Sequence, residues 1–159
     1  METINNNPKS IKVCLAASAG GHISQLIKLS NGWNCRNVFC ITTTKVVEEK
    51  LKRFGHTYVV GESNHQHLLQ VIAVLMRCLK IVVHEKPDVV ISTGAAAGCI
   101  ACFLGKFIGA KVVWIDSVTN VERLSLSGRM VRYIADLFLV QWPELAKKYK
   151  NVEYCGTII

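Results

Sequence analysis

A chain of 159 residues, half of them apolar and carrying a formal net charge of +8, is long enough for one well-buried domain and short for two. Its 19 Lys and Arg against 11 Asp and Glu favour anionic company, but they are spread along presumed helices, without the basic run of a nucleic-acid tail, so no nucleic-acid partner is expected. Seven cysteines, an odd number set mostly in apolar runs, point to free thiols in a reducing compartment.

Met1 to Ser10, with Asn5, Asn6, Asn7 and Pro8, reads as a disordered lead-in to a single domain over residues 11–159. A buried strand is predicted at Lys12–Ala17, and the helical spacing of Ile23, Leu26, Ile27 and Leu29 predicts a helix over His22–Leu29. Between them Ala16-Ala17-Ser18-Ala19-Gly20-Gly21-His22 forms a glycine-rich strand-to-helix turn. Such a turn aims backbone N–H groups and the positive end of a helix at one spot, where phosphate is stabilised. His22 adds a group able to move protons near neutral pH.

Further strands are predicted at Asn37–Thr42, Thr57–Val60, Asp88–Ser92, Lys111–Asp116, Leu137–Gln141 and Val152–Cys155. Helices fill the gaps at Lys45–Phe54, His67–His84, Ala95–Ile108, Ser127–Ile134 and Pro143–Lys150, the last with proline at its start. Apolar strands alternating with helices predict an α/β domain, a Rossmann-like doubly wound parallel sheet covered on both faces. In such sheets the ligand crevice opens at the carboxyl ends of the strands where the winding reverses, which sets the first and fourth strands side by side. Ser18, Gly20, Gly21 and His22 should therefore face Thr93 and Gly94, which end the fourth strand. The alternative is two tight turns that serve only close helix–sheet packing.

Several familiar chemistries do not fit. Lys9, Lys12 and Ala17-Ser18-Ala19 mimic a signal peptide, but the apolar stretch is at the short limit and cleavage would delete the first strand. Leu68 to Val83 and Ala95 to Ile108 are interrupted by Arg77, Lys80 and Lys106, so no clear membrane span is expected. G-x-G-x-x-G, the P-loop and G-x-S-x-G are absent. Cys99 and Cys102 form a CxxC inside an apolar run and read as core. His65 and His67 lack placeable partners, so no metal and no cofactor is expected.

The third helix carries more apolar surface than one packed face requires. Gln70, Arg77, Lys80 and His84 form a narrow polar stripe, and Leu68, Ile72, Leu75, Met76 and Leu79 help to cover the rest. The surplus either dips into a bilayer surface, with Arg77 and Lys80 meeting anionic headgroups, or packs beneath a neighbouring helix.

Three blocks in order, Ser18 to His22, Lys86 to Gly94, and Ser125 to Arg129 continuing through Ile134 to Trp142, resemble a split glycosyltransferase subunit of the PssD-type capsule and exopolysaccharide biosynthesis proteins. These are similar to the membrane-anchoring subunit of the eukaryotic enzyme that adds the second N-acetylglucosamine to dolichol-linked oligosaccharide. More distantly they resemble the amino-terminal half of MurG. The resemblance implies the acceptor-side half of a GT-B transferase, a non-autonomous subunit whose UDP-sugar-binding partner is a separate polypeptide. It implies a lipid-diphosphate-linked acceptor and a cytoplasmic location, peripheral on the inner face of the plasma membrane. The expected partner contact is Gly156, Thr157, Ile158 and Ile159 with the crevice rim.

On this resemblance His22 and Asp116 are the catalytic candidates, His22 as base or diphosphate contact. Asp116 stands where MurG-like enzymes carry an acidic residue, although Asp116-Ser117-Val118 departs from their Glu-Gln-Asn; a turn or capping aspartate is the competing role. Asn120, Arg123, Ser127 and Arg129 supply hydroxyls and guanidinium forks for phosphate or for the partner, Ser127 alternatively capping its helix. A scaffold that only anchors its partner, or an NADP-type reductase, are the other readings.

Overall fold

The computed structural model describes residues 10–32, 37–62 and 68–158. The lead-in before Ser10, Cys35, His65, His67 and Ile159 lie outside the described residues. Seven described strands, β1 (Val13–Ala17), β2 (Val38–Thr42), β3 (His56–Val59), β4 (Val89–Gly94), β5 (Lys111–Ile115), β6 (Leu137–Val140) and β7 (Glu153–Tyr154), make one sheet. Its order is β3-β2-β1-β4-β5-β6-β7, with every pairing parallel. The winding reverses between β1 and β4, as the alternation of elements predicts. Val13 pairs with Val89 and Ala17 with Gly94, with a register shift after Ala16.

The helices are α1 (Gly21–Ser30), α2 (Glu48–Leu51), α3 (Leu68–Glu85), α4 (Ala95–Phe107), α5 (Leu126–Val131) and α6 (Pro143–Lys148). The single helix expected over Lys45–Phe54 is instead a 3₁₀ turn at Lys45–Val47 followed by the short α2. Thr44 is extended and offers no cap, and the first turn carries Val46 and Val47, whose branched side chains lose rotamer freedom against a helix. The fifth helix begins at Leu126, because the Ser125 hydroxyl takes the Gly128 N–H; Ser125, not Ser127, is its cap.

Alternate residues of the inner strands β1, β2 and β4 feed two cores. Cys14, Ala16, Phe39, Ile41 and Val90 join Val74, Cys78 and Val82 of α3 and Ala97, Ala101 and Cys102 of α4. Val13, Leu15, Ala17 and Cys40 join Ile23 and Leu26 of α1 and Leu51 of α2 on the other face. Each fully buried Leu or Val contributes about 1.5–3 kcal/mol. Burial pushes the Cys40 and Cys99 thiols up to about 11 and Cys78 to about 12, so these cysteines pack as small hydrophobes rather than react.

Ionic clamps tie the amino ends of the strands to the helices. Lys12 pairs with Glu85 at the end of α3, and the Tyr58 hydroxyl donates to the same carboxylate at 2.5 Å. Asp136 accepts from Lys106 Nζ at 2.8 Å, Lys111 Nζ at 3.0 Å and the Val112 N–H at 2.8 Å. Led by the Lys106 contact and resisted by partial burial, these bonds hold the Asp136 carboxyl well below the usual aspartate range. A carboxyl depressed in the folded state gives stability that is fully present above its unfolded pKa of about 3.9 and is lost as pH falls toward the folded value. Asp136→Asn should therefore cost about 1–2 kcal/mol of urea-measured stability at pH 7, and the gap to wild type should narrow below about pH 4.

Candidate functional site

The reversal point brings the two small-residue turns together. His22, on the first turn of α1, lies with Nδ1 2.9 Å from the Thr93 carbonyl oxygen, and the Thr93 hydroxyl donates to the His22 carbonyl at 2.6 Å. A carbonyl only accepts, so Nδ1 carries the hydrogen and, in the neutral ring, Nε2 holds the lone pair. The ring is half-buried and the adjoining Gly20 and Gly21 are exposed. Helix α1 takes no side-chain cap, and the preceding Ala19 N–H is held by Thr43 Oγ1 at 3.1 Å.

Gly94 is required here for two reasons. Its φ is +136°, and a Cβ placed on it would stand 2.5 Å from His22 Nδ1. The imidazole thus lies against bare backbone at the end of β4. Ala95, next in the chain, sits at φ +62°, a left-handed conformation that costs a non-glycine residue about 1–2 kcal/mol. The strain falls beside His22, as it often does where a backbone must present a ligand surface.

Asp116 is placed at the same end of the sheet, just beyond β5, and is 1 % exposed. Its carboxylate is turned inward. Oδ1 accepts from the Ser125 hydroxyl at 2.6 Å and from Trp114 Nε1 at 3.2 Å, and Oδ2 accepts from the Ser125 N–H at 2.9 Å. Gly128 closes over this cluster, since a Cβ there would meet Ser125 Oγ at 2.8 Å and Asp116 Oδ1 at 2.9 Å. The loop between Asp116 and Ser125 is therefore pinned at both ends.

That loop carries Asn120, half-buried, and Arg123, exposed, around a 310 Å³ depression also lined by Thr119, Val121 and Glu122. Arg129 is exposed on α5. Ser127 is half-buried on α5, and its hydroxyl holds the Cys99 thiol of α4 down against the effect of burial. Ser18 and Thr93 flank the turn, half-buried and buried. Gly156, Thr157 and Ile158 run over the same end of the sheet; the Thr157 hydroxyl donates to the Gln141 carbonyl at 3.5 Å and the Ile158 N–H to Gln141 Oε1 at 2.8 Å.

Helix α3 buries Val74, Cys78 and Val82 and exposes Leu68, Leu69, Ile72, Leu75 and Met76, with Leu79 half-exposed beside exposed Lys80. Arg77 departs from the expected headgroup stripe, because its guanidinium donates to the Val60 carbonyl at 2.7 Å. Among the described residues no helix is long and apolar enough to cross a membrane, and no group of three His, Cys, Asp or Glu could hold a metal.

Ser125, which opens the third sequence block, turns out to bond Asp116, and Gln141, Thr43 and Trp142 are residues at the site end of the sheet for which the sequence assigns no role. Gln141 alone left a trace, as a polar residue closing the apolar run Leu137 to Val140. Trp142 holds the loop from the other side, donating Nε1 to the Val118 carbonyl at 2.7 Å.

Comparison with known proteins bears on what this arrangement is. The chain is 26% identical over 183 residues to the UDP-N-acetylglucosamine transferase subunit ALG14 of Mus musculus, covering 95% of this chain and 84% of that one. It is 28% identical over 182 residues to the subunit of the same name from Yarrowia lipolytica, covering 98% and 83%. Among solved structures, MurG of Acinetobacter baumannii superposes with TM-score 0.75 at 12% identity over 94% of this chain and 46% of that chain. UDP-GlcNAc 2-epimerase of Neisseria meningitidis superposes with TM-score 0.68 at 12% identity over 93% and 47%. At such identities these structures share the fold alone, and the chain spans about half the length of each. Residues 13–158 match the family described as "Oligosaccharide biosynthesis protein Alg14 like", and the chain belongs to that family.

Proposed function

We propose that this chain is the acceptor-side subunit of a two-chain glycosyltransferase that moves a sugar from a UDP-sugar to a lipid-diphosphate-linked saccharide. The observation that carries the reading is the His22–Thr93 pair: a histidine on a glycine-rich helix start, with Nδ1 committed to a carbonyl and Nε2 left as the basic nitrogen. In the reaction the acceptor hydroxyl oxygen bonds to the anomeric carbon as the bond to the UDP phosphate oxygen breaks. The electron pair leaves with UDP, and Nε2 takes the hydroxyl proton. The uncapped start of α1 supplies N–H dipoles for diphosphate charge.

Asp116 is assigned a positioning role. Its carboxylate is spent on Ser125 and Trp114, which orients the loop bearing Asn120 and Arg123 toward the acceptor diphosphate. Arg129 lies on the helix that this loop leads into. The names of the curated relatives support a partner subunit and UDP-N-acetylglucosamine as donor. The partner would meet Gly156–Ile158 and the crevice rim and be recruited there. The resemblance of the three sequence blocks supports capsular or exopolysaccharide synthesis as the setting.

The apolar face of α3 supports peripheral attachment to the inner face of the plasma membrane. Leu68, Ile72, Leu75, Met76 and Leu79 would enter the headgroup boundary while Lys80 meets anionic lipid. An Ile72→Glu, Met76→Glu double variant should lower cosedimentation with phosphatidylglycerol-containing vesicles at least about tenfold, from the apolar burial forgone, with far-UV circular dichroism unchanged. Unchanged cosedimentation would remove α3 from the membrane.

In the reconstituted pair, His22→Ala should lower kcat by about 10²–10⁴, the range of a lost general base. Gly94→Ala, which leaves the imidazole in the chain but takes its place, should approach the same loss. Wild-type rates for His22→Ala would reduce this chain to a scaffold for its partner.

A further inference from the structure

Gln141 is 1 % exposed, and its side chain bonds two segments of the chain. Its Nε2 donates to the Asp116 carbonyl at 2.9 Å, and its Oε1 accepts the Ile158 N–H at 2.8 Å. The partners fix the orientation of the amide, because a carbonyl requires the NH₂ end and an N–H requires the oxygen. Asp116 is also held to β6 by its own N–H, 2.8 Å from the Leu139 carbonyl. Its carboxylate takes both polar groups of Ser125, whose hydroxyl in turn caps α5 through the Gly128 N–H at 2.8 Å. One line of hydrogen bonds, buried at Gln141 and Asp116 and half-buried at its two ends, therefore runs from the 156–158 segment to the loop bearing Asn120 and Arg123.

We propose that Gln141 is a positioning residue that couples the 156–158 segment to the loop of residues 117–125. A buried amide whose two ends are both bonded stays in place at low cost, whereas losing either partner leaves a buried polar group unpaired. Displacement of Ile158 is thus felt at Asp116 and, through its carboxylate, at Ser125. Resting on the reading that the segment meets the partner and the loop meets a lipid diphosphate, the coupling lets partner docking tighten acceptor binding, and acceptor binding tighten docking by the same factor.

Two variants of the full chain test this by hydrogen exchange, with farnesyl diphosphate as the lipid-diphosphate probe. Ile158→Pro removes the N–H that Gln141 accepts, and Gln141→Met keeps the volume while removing both side-chain bonds. Each should speed exchange of the Ser125 and Gly128 amides by about tenfold, the effect of one lost buried hydrogen bond, while Cys14 and Val90 amides in β1 and β4 exchange as in wild type. Each should also weaken farnesyl diphosphate binding several-fold. Loop exchange within twofold of wild type in Ile158→Pro, or equal acceleration at Cys14 and Val90, would overturn the coupling. If farnesyl diphosphate protects no amide of the wild-type loop, the acceptor reading falls, and the exchange rates of the two variants still decide the relay.

Discussion

Two crossing hydrogen bonds, His22 Nδ1 with the Thr93 carbonyl and the Thr93 hydroxyl with the His22 carbonyl, join the first turn of α1 to the end of β4. They exist only because β1 and β4 are neighbours, which in turn follows from the reversal of winding at β1. The histidine half of the candidate site depends on this junction. It orients the imidazole, sets its tautomer, and demands the bare backbone of Gly94 beneath the ring. The left-handed Ala95 beside it is a local cost that the sheet and the α4 packing sustain.

A second layer stands behind the first. Asp116 offers a buried carboxylate to Ser125 and Trp114, and Gln141 offers an amide to Asp116 and Ile158. Asp116 and Gln141 are each 1 % exposed, which is why a positioning role is proposed for them. The proposed ligand surface is built from short loops, and buried polar groups help such loops to keep one geometry. In the proposed reading, exposed Arg123 and Arg129 supply charge and buried Asp116 and Gln141 supply position.

The fold was legible because its signals are redundant. Apolar strands between amphipathic helices leave little freedom for a parallel sheet, and Gly20, Gly21 and Gly94 mark the turns that face each other. The helix over Lys45–Phe54 misled because an apolar spacing does not reveal that Val46 and Val47 crowd an uncapped first turn. The cap moved from Ser127 to Ser125 for a related reason, since two serines spaced by one residue look alike until the Gly128 N–H is placed. Asp116 could be picked as an acid at a strand end, but whether its carboxylate faces solvent or Ser125 depends on a contact nine residues away. Gln141 depends on contacts 25 and 17 residues away, which no local pattern encodes. Arg77 shows the same limit, because its carbonyl partner, Val60, lies 17 residues away, just past β3.

The central claim is that this chain presents the acceptor and that a separate chain presents the sugar nucleotide. Its most direct test is transfer from UDP-N-acetylglucosamine to a lipid-diphosphate-linked saccharide on vesicles, assayed with this chain, with a separately purified UDP-sugar-binding subunit, and with both. The account predicts product only when both chains are present. Transfer by this chain alone, at a rate comparable to the pair, would contradict it.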